Sequence, residues 1–151
     1  TFKYLNSVKE VLSVKGIQID ISNDIESVLW SKLILVGAIG PIMASTRSSF
    51  VDILDSPYGK SICEKMMQEI YLVAKSKGVF LPSDLVEKNL NYLLKDKENI
   101  QSSLQQDILS GKPLELDDLM GAALKIGKNN GIDMPVCESF YTVLYNSING
   151  N

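Results

Sequence analysis

The sequence predicts an all-α fold, a compact multi-helix bundle in which residues 1–151 form a single domain. Three observations carry that prediction. Nearly every stretch between breaks repeats its apolar residues at spacings of three and four. Helix start and stop signals recur along the whole chain. No two alternating stretches are joined by a turn that would make a hairpin. The length, 151 residues with 45% hydrophobic and 22% charged side chains, suits one globular domain able to bury a core without disulfides or metal.

The elements follow from the punctuation. Phe2, Leu5, Val8 and Leu12 share one side of a helix from Phe2 to Val14, which stops at Gly16. Ile17–Ile21 reads as a short extended link. Asn23, with Glu26 three residues on, has the pattern of a capping box. The helix it opens is expected to run to about Ile39, where Gly40-Pro41 should break it, since proline lacks a donor and crowds the preceding turn. A short helix is expected after Ser49. Ser56-Pro57 signals a helix to Lys77 that stops at Gly78, and Ser83 a helix to Lys95. Asp96–Asn99 is a polar loop. Ser102 or Ser103 opens a short helix ending at Gly111, another spans Leu116–Asn129, and Pro135 opens the last.

Composition removes whole classes of function. There is no histidine, which excludes Ser-His-Asp triads, Cys-His dyads and His-ligated zinc or haem. Acid–base chemistry must come from Lys, Asp, Glu or Tyr. Cys63 and Cys137 are the two cysteines, too far apart in sequence for a CxxC site; they read as a buried reduced pair, with a disulfide as the alternative. The net charge of −3 argues against a nucleic-acid partner. No GxGxxG or GxxxxGK[ST] loop is present to cradle a phosphate. The uncharged run Leu33–Thr46 is too short to span a membrane, and no secretory leader appears, so a cytoplasmic location is expected. The chain begins at Thr1 rather than Met, which suggests a piece of a longer protein.

One lysine is out of place. Val28–Ile39 reads VLWSKLILVGAI, and Ser31 and Lys32 are its only polar side chains. A helix apolar on all sides is a central, buried one. Lys32 falls in register with Ile25, Val28, Leu29 and Val36. Either it snorkels to solvent from a groove edge, or it sits desolvated in a cleft as a general acid. Three other features carry similar alternatives. Ser102-Ser103 offers hydroxyls and free N–H groups that would suit a carboxylate or simply cap a helix. Glu115 and Asp117 are either site carboxylates or a solvated first turn. Arg47, among the hydroxyls of Ser45-Thr46-Arg47-Ser48-Ser49, is either an anion-binding cation or a solvated one.

Taken together, Trp30-x-Lys32-Leu33, Gly40-Pro41, Glu69 before Val73-Ala74 and Gly78-Val79, then Ser102-Ser103-Leu104-x-x-Asp107, Gly111-Lys112-Pro113-x-Glu115-Leu116, Gly121, Gly131 and Pro135 form an ordered pattern. Over essentially its whole length the chain resembles the C-terminal helical domain of the ketopantoate reductase (2-dehydropantoate 2-reductase) family. The resemblance implies a two-domain dehydrogenase. An N-terminal Rossmann domain, absent from this chain, would bind NADPH, and this domain would close over a small 2-oxo acid substrate. It further implies that Lys32 protonates the carbonyl oxygen, that Ser103 contacts the substrate carboxylate, and that Glu115 lies near nicotinamide and substrate.

The pattern departs from the pantoate-forming members at three positions. Val36, Gly40 and Phe50 stand where those members carry asparagines, so a less hydroxylated 2-oxo acid is the expected substrate, with Arg47 taking up anion binding. A non-catalytic helical interaction or dimerisation module on the same fold is the alternative, and a related dehydrogenase domain for another small acid a third. On its own the chain should be inactive. An apolar face should remain exposed where the missing domain docks, and a homodimer would cover it.

Overall fold

The computed structural model describes residues 2–14 and 16–150 and, among them, contains helices and no strand. In order these are α1 (Phe2–Ser13), α2 (Ile25–Thr46), α3 (Phe50–Asp55), α4 (Gly59–Ser76), α5 (Leu85–Lys95), α6 (Ser103–Leu109), a π-turn (Asp117–Gly121), α7 (Ala122–Asn129), α8 (Pro135–Leu144) and a 3₁₀ turn (Tyr145–Ser147).

The bundle is built around α2. It packs most extensively on α4, then on α6 and α8. From Ile34 onward it is nearly submerged: Ile34, Ala38 and Ala44 are fully buried, and Ile42 and Met43 almost so. Met66, Met67, Ile70 and Val73 of α4 complete the centre, with Leu116, Met120 and Leu144 closing the far side. Gly37 lets α2 and α4 approach: a methyl group there would stand 3.3 Å from Ile70 Cδ1. By length and composition α2 could cross a membrane, but 56% of its apolar window is buried against the rest of the bundle.

The expected break at Gly40-Pro41 does not occur. Helix α2 runs unbroken from Ile25 to Thr46 with Pro41 inside it. An interior proline costs about 3 kcal/mol against alanine, and the burial of every residue from Gly37 to Ala44 offsets it. The helix ends at Arg47, whose left-handed φ of 54° lets its N–H donate to Met43 C=O at 2.9 Å.

Other boundaries also shift. Asp24, not Asn23, caps α2: its carboxylate accepts from Ser27 N–H at 3.0 Å, and Glu26 instead pairs with Lys77 at 3.3 Å. The Lys77 ammonium lies 5.6 Å from the centre of the buried Trp30 ring. Ser56 does not open α4; its hydroxyl donates back to Ile53 C=O at 2.7 Å and closes α3. Asp84 rather than Ser83 precedes α5. The segment from Leu116 begins as a π-turn before becoming the regular α7. Gly78 does stop α4's run, with φ of 80°.

Cys63 and Cys137 are both free and buried. Burial pushes the Cys63 thiol up to about 11. Burial and the neighbouring Glu69 carboxylate push Cys137 further in the same direction. Glu69 has a structural task in the core: it accepts from Val136 N–H at 3.0 Å and Cys137 N–H at 2.9 Å, capping α8 from across the bundle.

Candidate active site

One face of α2 carries Lys32, Val36, Ile39 and Gly40, at spacings of four, seven and eight from the lysine. That face forms one wall of a cavity of about 210 Å³. The start of α6 supplies the second wall through Gln101, Ser102, Ser103 and Leu104; Glu115 and Leu119 supply the third. Three residues singled out from the sequence, Lys32, Ser103 and Glu115, therefore meet at one pocket although up to 83 positions separate them.

The pocket is polarised. Lys32, Gln101, Ser103 and Glu115 are exposed and ring its mouth. Ile39, Gly40 and Leu104 are buried, Val36 and Leu119 half-buried, and these five make an apolar floor. Lys32 is open to solvent, so this chain does not supply the desolvated cleft that its apolar neighbours suggested. The reason lies on the same helix: Ile25, Val28 and Leu29 are themselves exposed, at 61%, 51% and 59%. The large apolar side chains of α2 that precede Trp30 are bare.

The two serines divide the work that sequence left open. Ser102 is buried and caps α6, its hydroxyl accepting from Gln105 N–H at 3.2 Å. Ser103, one residue on, is exposed at the pocket. Gln105 then ties α6 to the end of α2, donating to Ser48 C=O at 2.8 Å.

Arg47 is not brought to this pocket. It stands fifteen residues beyond Lys32, about 22 Å along the helix axis at 1.5 Å per residue, and serves as the C-cap. Of the three positions that depart from the pantoate-forming pattern, Val36 and Gly40 line the floor, whereas Phe50 is 1% exposed in the core and does not line it. A methyl at Gly40 would meet Ser102 Oγ at 3.5 Å and Leu104 at 3.8 Å, so side-chain bulk there would fill the floor.

Sequence reasoning missed Gln101, Leu119 and the bond that joins Asp117 to Tyr141. Tyr141 of α8 donates its hydroxyl hydrogen to Asp117, the first residue of the π-turn. Accepting that bond, the Asp117 carboxylate pushes Tyr141 up to about 12. No spacing rule links positions 117 and 141; only the packing of α8 against the π-turn does.

The fold and the pocket define an all-helical domain with one polar-rimmed, apolar-floored cleft. The family model described as ketopantoate reductase PanE/ApbA C terminal matches residues 24–146, and the chain belongs to that family. The 2-dehydropantoate 2-reductase of Pyrobaculum aerophilum is 29% identical over 140 residues, covering 93% of this chain and 50% of the relative. The solved 2-dehydropantoate 2-reductase of Methylococcus capsulatus superposes with a TM-score of 0.85 at 26% identity, over 95% of this chain and 50% of that one. A D-mandelate dehydrogenase solved with NADH and anilino(oxo)acetate shares the fold, with a TM-score of 0.86 at 16% identity over 97% of this chain and 48% of that one. The chain spans about half the length of these relatives.

Proposed function

We propose that this chain is the substrate-closing half of an NADPH-dependent reductase that converts a 2-oxo acid with an apolar side chain to the 2-hydroxy acid. The observation that carries the reading is the meeting of Lys32, Ser103 and Glu115 at the mouth of one apolar-floored pocket. The chain has no phosphate-cradling loop of its own, so the dinucleotide is held chiefly by a Rossmann domain outside it. The open mouth fits that arrangement, because Lys32 and Glu115 are accessible to a group held from outside. A reduced nicotinamide, when bound, supplies the hydride.

The chain's own residues do the rest. Ser103 offers a hydroxyl to the substrate carboxylate. Lys32 neutralises the negative charge that builds on the carbonyl oxygen and passes that oxygen a proton; the resulting amine regains its proton from solvent once the cleft reopens. Glu115 lies beside both and contacts the cofactor side of the pocket. The closing domain removes water from around Lys32, supplying the desolvation this half lacks. Such a domain would also cover Ile25, Val28 and Leu29, whose exposure is otherwise unfavourable.

The substrate class follows from the floor. Val36, Ile39, Gly40, Leu104 and Leu119 present no side-chain donor or acceptor. A hydroxyl buried there would lose its water without a replacement bond, costing about 1–3 kcal/mol. Branched aliphatic or aromatic 2-oxo acids fit better than ketopantoate. The test uses the full-length protein. Lys32→Met keeps the stem and removes the acid, so kcat should fall by roughly 10²–10⁴-fold with NADPH affinity unchanged. Near wild-type turnover by that variant would overturn Lys32 as the acid, and no turnover of any 2-oxo acid by the wild type would leave the alternative, a non-catalytic interaction module.

A further inference from the structure

Asp117–Gly121 is a π-turn: Ala122 N–H donates to Asp117 C=O, five residues back, where an α-helix would reach four. It carries one residue more than an α-turn. Closing it as regular helix would rotate everything before it by about 100° and shift it by about 1.5 Å relative to α7. Glu115, two residues before Asp117 and bonded through its carbonyl to Leu119 N–H at 3.3 Å, would leave the pocket mouth. Something must hold this less favourable turn.

Two features do. Tyr141 donates its hydroxyl hydrogen to Asp117. Gly121 fills the space between turn and ring so closely that an added methyl would stand 3.1 Å from Asp117 Oδ1 and 3.3 Å from Tyr141 Cε2. Tyr141 is itself set by α8, whose N-terminus is bonded to the buried Glu69 of α4. A continuous path thus runs from the core through α8 to the pocket wall. We propose that Tyr141 is a positioning residue, whose bond to Asp117 holds the π-turn in the register that presents Glu115 and Leu119 to the pocket. The proposal rests on the reading of that pocket as the active site. The Asp117 carboxylate pushes this hydroxyl up to about 12, so it is a donor at neutral pH.

Two measurements on the full-length protein test it. In Tyr141→Phe, hydrogen exchange at the Ala122 amide should accelerate at least tenfold while the amides of α4 keep their rates. Unchanged exchange at Ala122 overturns the proposal whatever the activity. In steady-state kinetics, Tyr141→Phe should lower kcat/KM about tenfold and Asp117→Leu should match it. Asp117→Asn, whose amide oxygen still accepts, should restore most of the loss. In a Glu115→Gln background, Tyr141→Phe should cost less than twofold further, because the two act through one group. An equal tenfold loss in both backgrounds, or a loss that tracks melting temperature, overturns it. No turnover of any 2-oxo acid by the wild type, alongside accelerated exchange at Ala122 in Tyr141→Phe, would instead remove the active-site reading and leave the turn's support intact.

Discussion

The two ends of α2 are both rich in apolar side chains, and those side chains have opposite surroundings. From Gly37 to Ala44 every residue is buried. From Ile25 to Leu29 large apolar side chains lie open, and Lys32 stands where the exposed stretch meets the pocket. One half is apolar because it is core. The other leaves its apolar side chains open to solvent, where the proposed second domain would cover them. Periodicity could not separate them, since both read as a helix without a polar side; only the position of α4, α6 and α8 along α2 decides which half is covered. A lysine in such a helix is therefore informative for its place at the boundary and not for its burial.

The contrast can be broken at its strongest point by paired truncations. Ile34→Ala should cost about 2–5 kcal/mol of stability, since Ile34 is fully buried. Leu29→Ala, three residues from Lys32 on the bare side, should change the stability of this chain by less than about 0.5 kcal/mol and yet weaken assembly with the proposed Rossmann domain. Chemical denaturation of both variants checks the first claim, and complementation by a separately produced Rossmann domain the second. Equal losses in denaturation would mean that both halves belong to the core.

A smaller effect sharpens the buried half. Pro41→Ala restores an N–H donor to the helix, a gain of about 3 kcal/mol, and removes two ring methylenes from the core at about 0.8 kcal/mol each. The net expectation is a stabilisation of about 1 kcal/mol, read as a raised midpoint in urea. A destabilised variant would show that the ring's packing outweighs the missing bond.

Arg47 gives a test of similar size at the far end. Because it caps α2 and does not line the pocket, Arg47→Gly should leave KM and kcat unchanged. Relief of its positive φ should stabilise the fold by up to about 1 kcal/mol. A raised KM would return Arg47 to substrate binding.

The smallest effect concerns the helix start. Hydrogen bonds from Ser27 hold the Asp24 carboxyl below its ordinary value of 3.8. Its folded pKa is depressed, so its contribution is complete above the unfolded value and fades as pH falls through the folded one. Asp24→Asn keeps the cap and removes the titration. The variant's melting temperature should therefore fall less steeply than wild type below about pH 4 and match it at pH 7.

The sequence made some of this legible and hid the rest for physical reasons. Local signals worked where the chain solves its own problem: Ser49 and Ser102 cap the helices that follow them, Gly78 stops α4, and Pro135 opens α8. They failed where tertiary packing overrides them. Pro41 is carried through a helix by burial, and Ser56 turns back to Ile53 because α3 packs before α4 begins. The gathering of Lys32, Ser103 and Glu115 was readable only through a resemblance spanning the whole pattern. Val36 and Gly40 were readable as departures from it, while Phe50 proved to be core. The Asp117–Tyr141 pair was invisible, since hydrogen bonds between distant elements leave no period behind.

Trp30 has a practical consequence. It is the only tryptophan in the chain, it follows the exposed Leu29 directly, and the Lys77 ammonium lies over its ring. Indole emission responds to both water and nearby charge, and here a single fluorophore sits beside the bare half of α2. Whatever body settles on Ile25, Val28 and Leu29 will dry that edge and disturb the lysine, shifting the emission without any label. Under the proposed function the protein would thus carry its own optical gauge of domain closure, and stopped-flow fluorescence would time that closure against the appearance of product.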